Sequence, residues 1–176
     1  KLNLKKKDYI AYLGRIEQKK GVDFAIKFSK KYKIPLVIAG SIADMWYFEN
    51  KVKPHVNGKL IKFIGQVNET QKNKLLGNAK AMIMPTRYEE AFGRVVIEAL
   101  ACGTPVIAFK KGALPEIIQN NKTGFLIKEN NLAEAKKAFD KLDLIKPETC
   151  RKFVEKNFAL QRMIKDYERL YKKIGK

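Results

Sequence analysis

Residues 81–109, AMIMPTRYEEAFGRVVIEALACGTPVIAF, decide the fold. The stretch opens on an apolar run (81–85), passes through a polar loop, continues as a short helical segment from about Gly93 to Cys102, and ends on a second apolar run (105–109). Runs that are apolar on both faces and joined by a helix are what buried parallel strands require. Working outward, the same kind of run recurs as YIAYL (9–13), PLVIA (35–39), LIKFI (60–64) and GFLI (124–127). Helical patterns lie between them, at 23–32, 43–53 and 69–79. The expected architecture is therefore α/β, a Rossmann-like doubly wound parallel sheet of about six strands.

After residue 127 the strands give way to C-terminal helices at 131–142, 147–158 and 160–174. The last of these carries Leu160, Met163, Ile164, Tyr167, Leu170, Tyr171 and Ile174 on one stripe. Its simplest placement is against its own sheet, and docking to a second domain is the alternative. At 176 residues with 45% hydrophobic content the chain suits one domain, residues 1–176, with a core that needs no disulfide or metal. Cys102 and Cys150 are far apart and have no neighbours at zinc-ligand spacing. That pattern fits a reducing, cytoplasmic setting. No apolar run approaches the ~20 residues that span a bilayer, and the basic start has only a five-residue apolar segment. The chain begins at Lys1 without an initiator Met, as a fragment of a longer protein would.

A formal charge of +19 invites polyanion or anionic-membrane partners. Lysine is spread along the whole chain, however, with no arginine-rich arm and no interleaved aromatics. A solvated lysine surface is the plain account, a peripheral contact with an anionic membrane surface stays open, and nucleic acid is not expected. One histidine, His55, and two serines, Ser29 and Ser41, leave little room for a serine hydrolase triad. There is neither a Gly-x-Gly-x-x-Gly after the first strand nor a Walker-type loop.

In doubly wound sheets ligands bind beyond the carboxyl ends of the strands. Gly14 ends the first strand there, and Arg15 and Lys20 flank a tight loop closed by Gly21. A guanidinium and an ammonium converging at a strand end suit a diphosphate, although both also read as ordinary surface cations. Glu90 and Glu98 flank an Ala-Phe-Gly turn. Gly93 makes a helix through both glutamates unfavourable, so Glu90 is expected in the loop and Glu98 on the helix. Free N–H groups near Gly93 and Arg94 then form an anion site between two carboxylates. Carboxylates that accept from hydroxyls on either side of a diphosphate describe a nucleotide-sugar site. The alternative is a helix-start acid and a solvated helix residue. The third loop, from Gly112 to Glu116, reads alone as a turn with a proline at a helix start.

Taken together, YLGRIEQKKG, IAGS, FIGQV, PTRYEEAFGRVVIEALACGTPVIA, GALPEII and NKTGFLI resemble the nucleotide-binding half of glycosyltransferase family 4, the retaining, GT-B-fold sugar transferases. The resemblance implies that Arg15 and Lys20 bind the donor diphosphate and that Glu98 takes the ribose hydroxyls. Glu90, with the backbone of Ala91, Phe92 and Gly93, takes the transferred sugar; Val95 and the helix start at Arg94 meet the phosphates, and the loop around Val67 lines the base pocket. It implies a hexosyltransferase whose donor is a nucleotide diphosphate sugar, on UDP or GDP, with no cofactor and no metal. The family's N-terminal acceptor domain is missing from this chain, so the isolated domain is expected to bind donor and to transfer little. A non-catalytic nucleotide-sugar or polyanion binding module is the rival. Gly112-Ala113 departs from the Gly-Gly common at that place in the family.

Overall fold

The computed structural model describes residues 2–175. Its centre is a six-stranded parallel sheet of β1 (Lys7–Leu13), β2 (Leu36–Ala39), β3 (Ile61–Phe63), β4 (Ala79–Met84), β5 (Val106–Phe109) and β6 (Gly124–Ile127). The strands lie in the order β3-β2-β1-β4-β5-β6. The chain thus builds leftward from β1, crosses back, and builds rightward from β4. β1 and β4 are neighbours, paired at Ala11↔Met82, and the loops that leave them part in opposite directions. That is the crevice where doubly wound sheets bind ligands.

The helices are α1 (Val22–Tyr32), α2 (Met45–Tyr47), α3 (Glu69–Asn78), α4 (Arg94–Ala101), α5 (Leu114–Ile117), α6 (Leu132–Asp140), α7 (Pro147–Phe158) and α8 (Leu160–Ile174). Five of them form two packed groups, α1 with α6, and α3 with α4 and α7. α1 buries two pairs spaced four residues apart, Val22 with Ile26 and Phe24 with Phe28, and Phe24 meets Phe109 of β5 edge-to-face at 4.8 Å. Each such side chain contributes about 1.5–3 kcal/mol through burial. α3 starts on a capping box in which Asn68 and Gln71 satisfy each other's backbone N–H groups.

Two expectations are corrected. The helix foreseen over 43–53 is broken into α2, a π-helical turn (Phe48–Val52) and a 3-10 turn (Lys53–His55). Pro54, just beyond residues 43–53, has no N–H for the Asn50 carbonyl, and its ring crowds the turn before it. The terminal helix forms over 160–174 as expected, but it does not pack on the sheet. None of its residues is buried, and its apolar stripe is exposed, because α4 and α7 already occupy that side. Cys102 and Cys150 are both free and buried.

Candidate functional site

The loop after β1 and the loop after β4 meet over the crevice. They are locked by Arg87, whose guanidinium makes two hydrogen bonds to Asp23, at 2.8 and 2.9 Å, and a third to the Gln18 carbonyl at 2.8 Å. The Arg87 backbone N–H donates to the Lys19 carbonyl. Tyr47 donates to the same Asp23 carboxylate at 2.6 Å. Burial alone would raise the Asp23 pKa, but these hydrogen bonds and the Arg87 charge hold it below the usual carboxylate value. The residues between Gly14 and Gly21 are thereby fixed against the start of α1.

A cleft of about 280 Å³ opens at this junction, lined by Gly14, Arg15, Lys20, Glu90, Gly93, Arg94 and Val95 among others. Larger clefts exist elsewhere on the molecule. Volume therefore does not single this one out; the meeting of both charged loops with a helix start does. Glu90 lies in the loop before α4, and Glu98 on α4. Gly93 caps α4 in the left-handed conformation (φ 71°) with no side-chain cap, so side chains leave the first-turn N–H groups of α4 unclaimed.

Glu90 is held closely. Lys20 Nζ lies 3.2 Å from its Oε2, Tyr88 donates to the same oxygen at 2.5 Å, and Lys20 also donates to the Tyr88 hydroxyl. Burial pushes the Glu90 carboxyl upward, yet the hydrogen bonds from Tyr88 and Lys20, the Lys20 charge and the Gly93 backbone outweigh it and leave its pKa lowered. From behind, the third loop supports the backbone: Ala113 N–H donates to the Glu90 carbonyl at 2.8 Å, and Gly112 N–H to the Glu89 carboxylate at 2.5 Å. Gly112 (φ 50°) admits this approach, since a Cβ there would stand 2.3 Å from the Glu90 carbonyl oxygen. The turn that looked unremarkable in the sequence is the buttress of the acidic loop.

Glu98 faces a neighbouring groove rather than the same cleft. Lys72 of α3 reaches its Oε1 at 2.8 Å, and Arg94, one turn earlier, lies 3.8 Å away. Arg94 lines both the cleft and that groove of about 700 Å³, whose far wall is α8. Arg15 is 58% exposed and 3.0 Å from Glu17, without an aligned hydrogen bond to Glu17 Oε1. Ala91 and Phe92 are exposed beside the helix start, with Phe92 turned toward Phe158. Val67, in the loop after β3, packs on the core edge and does not line the cleft. Arg87, Tyr88 and Lys72 were missed by the sequence analysis. The first two are adjacent to the acidic pair in PTRYEE, which was the available signal; Lys72 gave none.

The family described as "Glycosyl transferases group 1" matches residues 1–159. An uncharacterized 41.2 kDa protein in the cps region of Klebsiella pneumoniae is 31% identical over 180 residues, covering 96% of this chain and 47% of that protein. Glycogen synthase of Mycobacterium tuberculosis is 32% identical over 120 residues, covering 65% of this chain and 29% of the enzyme. The chain thus spans less than half the length of these relatives. Among solved structures, the Anabaena protein HepE in complex with UDP and glucose superposes with a TM-score of 0.82 at 17% identity, over 95% of this chain and 48% of that one. With its six-stranded Rossmann-like sheet, this chain belongs to the group 1 glycosyl transferases, of the GT-B type.

Proposed function

We propose that the chain is the donor-binding half of a retaining hexosyltransferase and that the cleft at the β1/β4 junction receives a nucleotide diphosphate sugar. The observation that carries this is the convergence of Arg15, Lys20, Glu90 and the N-terminus of α4, which no side chain caps, on one opening. In this reading Arg15 and Lys20 exchange their present carboxylate partners for the diphosphate, while the α4 N–H groups take a phosphate oxygen. Glu98 accepts from the ribose, and Glu90 with the Ala91–Phe92–Gly93 backbone accepts the sugar. Cations and helix start supply the charge stabilisation that a metal supplies in other transferases, and the departing phosphate serves as base. HepE, described with UDP and glucose, supports a uridine donor; GDP sugars stay in the panel.

The open side of the cleft and the exposed stripe of α8 support a second, acceptor-binding half as the missing wall. Without it the chain forfeits much of a proximity term worth roughly 7–11 kcal/mol. The test is paired. Melting with saturating UDP and GDP sugars should show stabilisation of about 2.7 kcal/mol at 100 times the dissociation constant. Product formation should appear only when an N-terminal half is supplied. Stabilisation without transfer even then favours a non-catalytic nucleotide-sugar module; no stabilisation by any donor defeats the assignment.

A further inference from the structure

The largest of the clefts described, about 1060 Å³, lies away from the donor opening, between α1 and the broken helical segment 45–55. Lys27, Lys30 and Lys31 enter it from α1, and Lys51 and His55 from the facing segment. Asp23, the carboxylate that lines it, is already engaged by Arg87 and Tyr47. Among the described residues Lys30, Lys31 and Lys51 take part in no ion pair, whereas most acidic side chains of the molecule do. Burial and the nearby Lys30 charge both lower the His55 pKa, as expected where cations crowd without counter-charge. Lys30 and Lys31 also complement the C-terminal dipole of α1, but Lys51 comes from another element and has no such role.

Trp46, 66% exposed, lines this cleft, and its neighbour Met45, 60% exposed, lines an adjoining one. Both project from a single helical turn that buries Tyr47 beneath them. A dissolved polyanion gains nothing from an exposed indole and thioether. A bilayer interface does, since tryptophan partitions to the headgroup level while lysines meet lipid phosphates. We propose that this face docks on an anionic lipid surface, with Trp46 and Met45 entering the headgroup region and Lys27, Lys30, Lys31 and Lys51 facing the phosphates. Gln18 and Arg87, from the loops after β1 and β4, line the same cleft. Docking would hold the donor loops beside the bilayer, in the manner of a peripheral protein; no helix among the described residues is long and apolar enough to cross a membrane.

The molecule carries its own probe, because Trp46 is its single tryptophan. The full chain is sedimented with vesicles of phosphatidylcholine alone, and of phosphatidylcholine with about one-third phosphatidylglycerol, while tryptophan emission is followed. Binding to the anionic vesicles alone, with a blue shift quenched by brominated lipid, is expected. The triple variant Lys30→Glu/Lys31→Glu/Lys51→Glu should bind at least about a hundredfold more weakly, given roughly fivefold for each of the three lysines near an anionic surface. Trp46→Ala should bind several-fold more weakly. A control with equal charge reversal at the exposed Lys122, Lys152 and Lys156 should stay within about twofold of the parent. Equal loss in both triple variants would show diffuse attraction to a +19 protein and overturn the proposal. So would binding without a blue shift, binding to soluble polyphosphate in preference to vesicles, or no binding. Thermal melts of each variant verify that the fold is intact.

Discussion

Glu90 and Glu98 stand on either side of one helix start and are held by different means. Glu90 is fixed through backbone as well as side chain: the third loop grips its carbonyl, and Tyr88 and Lys20 close over its carboxylate. Glu98 is held only by the ends of two long cationic side chains, Lys72 and Arg94, from α3 and from its own helix. A backbone tie defines position and resists exchange, whereas a side-chain tie lets the cation swing to a ligand while the carboxylate stays on its helix. The first carboxylate is thus part of the architecture of the loop. The second is a polar group mounted on a finished helix.

The strongest way to break this contrast is Gly112→Ala. The added Cβ would stand 2.3 Å and 2.4 Å from backbone atoms of Glu90, in a left-handed conformation. A loss of about 2–4 kcal/mol in urea unfolding is expected, in line with strain at a special backbone position. A change below ~0.5 kcal/mol would mean the buttress is dispensable. Glu98→Ala should leave stability nearly untouched and weaken nucleoside diphosphate binding by roughly 1.5–3 kcal/mol, the range for a charged hydrogen bond. Calorimetric titration checks this, and an unchanged affinity would remove Glu98 from the donor site.

Glu90→Ala sharpens the comparison from the other side. Nucleoside diphosphate affinity should hold while the preference for the sugar-bearing donor falls by about 1–2 kcal/mol. Parallel losses for both ligands would erase the division between the two glutamates. The smallest effect belongs to the cations. Arg15, more than half exposed, should contribute about 0.5–1 kcal/mol to diphosphate affinity at low salt and almost nothing at high salt. Lys20, 17% exposed beside Glu90, should show a loss less sensitive to salt. Identical salt slopes for Arg15→Ala and Lys20→Ala would contradict that ranking.

Much of the scaffold was legible because its strands are apolar on both faces. Each observed strand lies within two residues of the run that announced it. Gly93 placed one glutamate in a loop and the other on a helix, and the structure has them there. Pro54 was visible, yet the periodicity of ADMWYFENKVK masked its effect on the helix. The stripe of α8 was equally visible, but periodicity says which face is apolar and not what covers it. The partners of the acidic pair were the least legible part. Lys20 meets Glu90 across 70 positions and Lys72 meets Glu98 across 26, and no local pattern encodes such meetings.

The strand order also bears on how the protein comes to exist in the cell. β1 and β4 are adjacent in the sheet, but two strands and their helices lie between them in the chain. Closing that long excursion is entropically slow compared with forming any of the helices it contains. During synthesis Arg15 and Lys20 emerge before Glu90, which follows Lys20 by 70 positions, and the buttress at Gly112 comes later still. A donor molecule therefore has nothing complete to recognise on the nascent chain until the return strand has docked. Ligand rescue of folding-impaired variants should favour defects that loosen the finished sheet over defects that delay this closure.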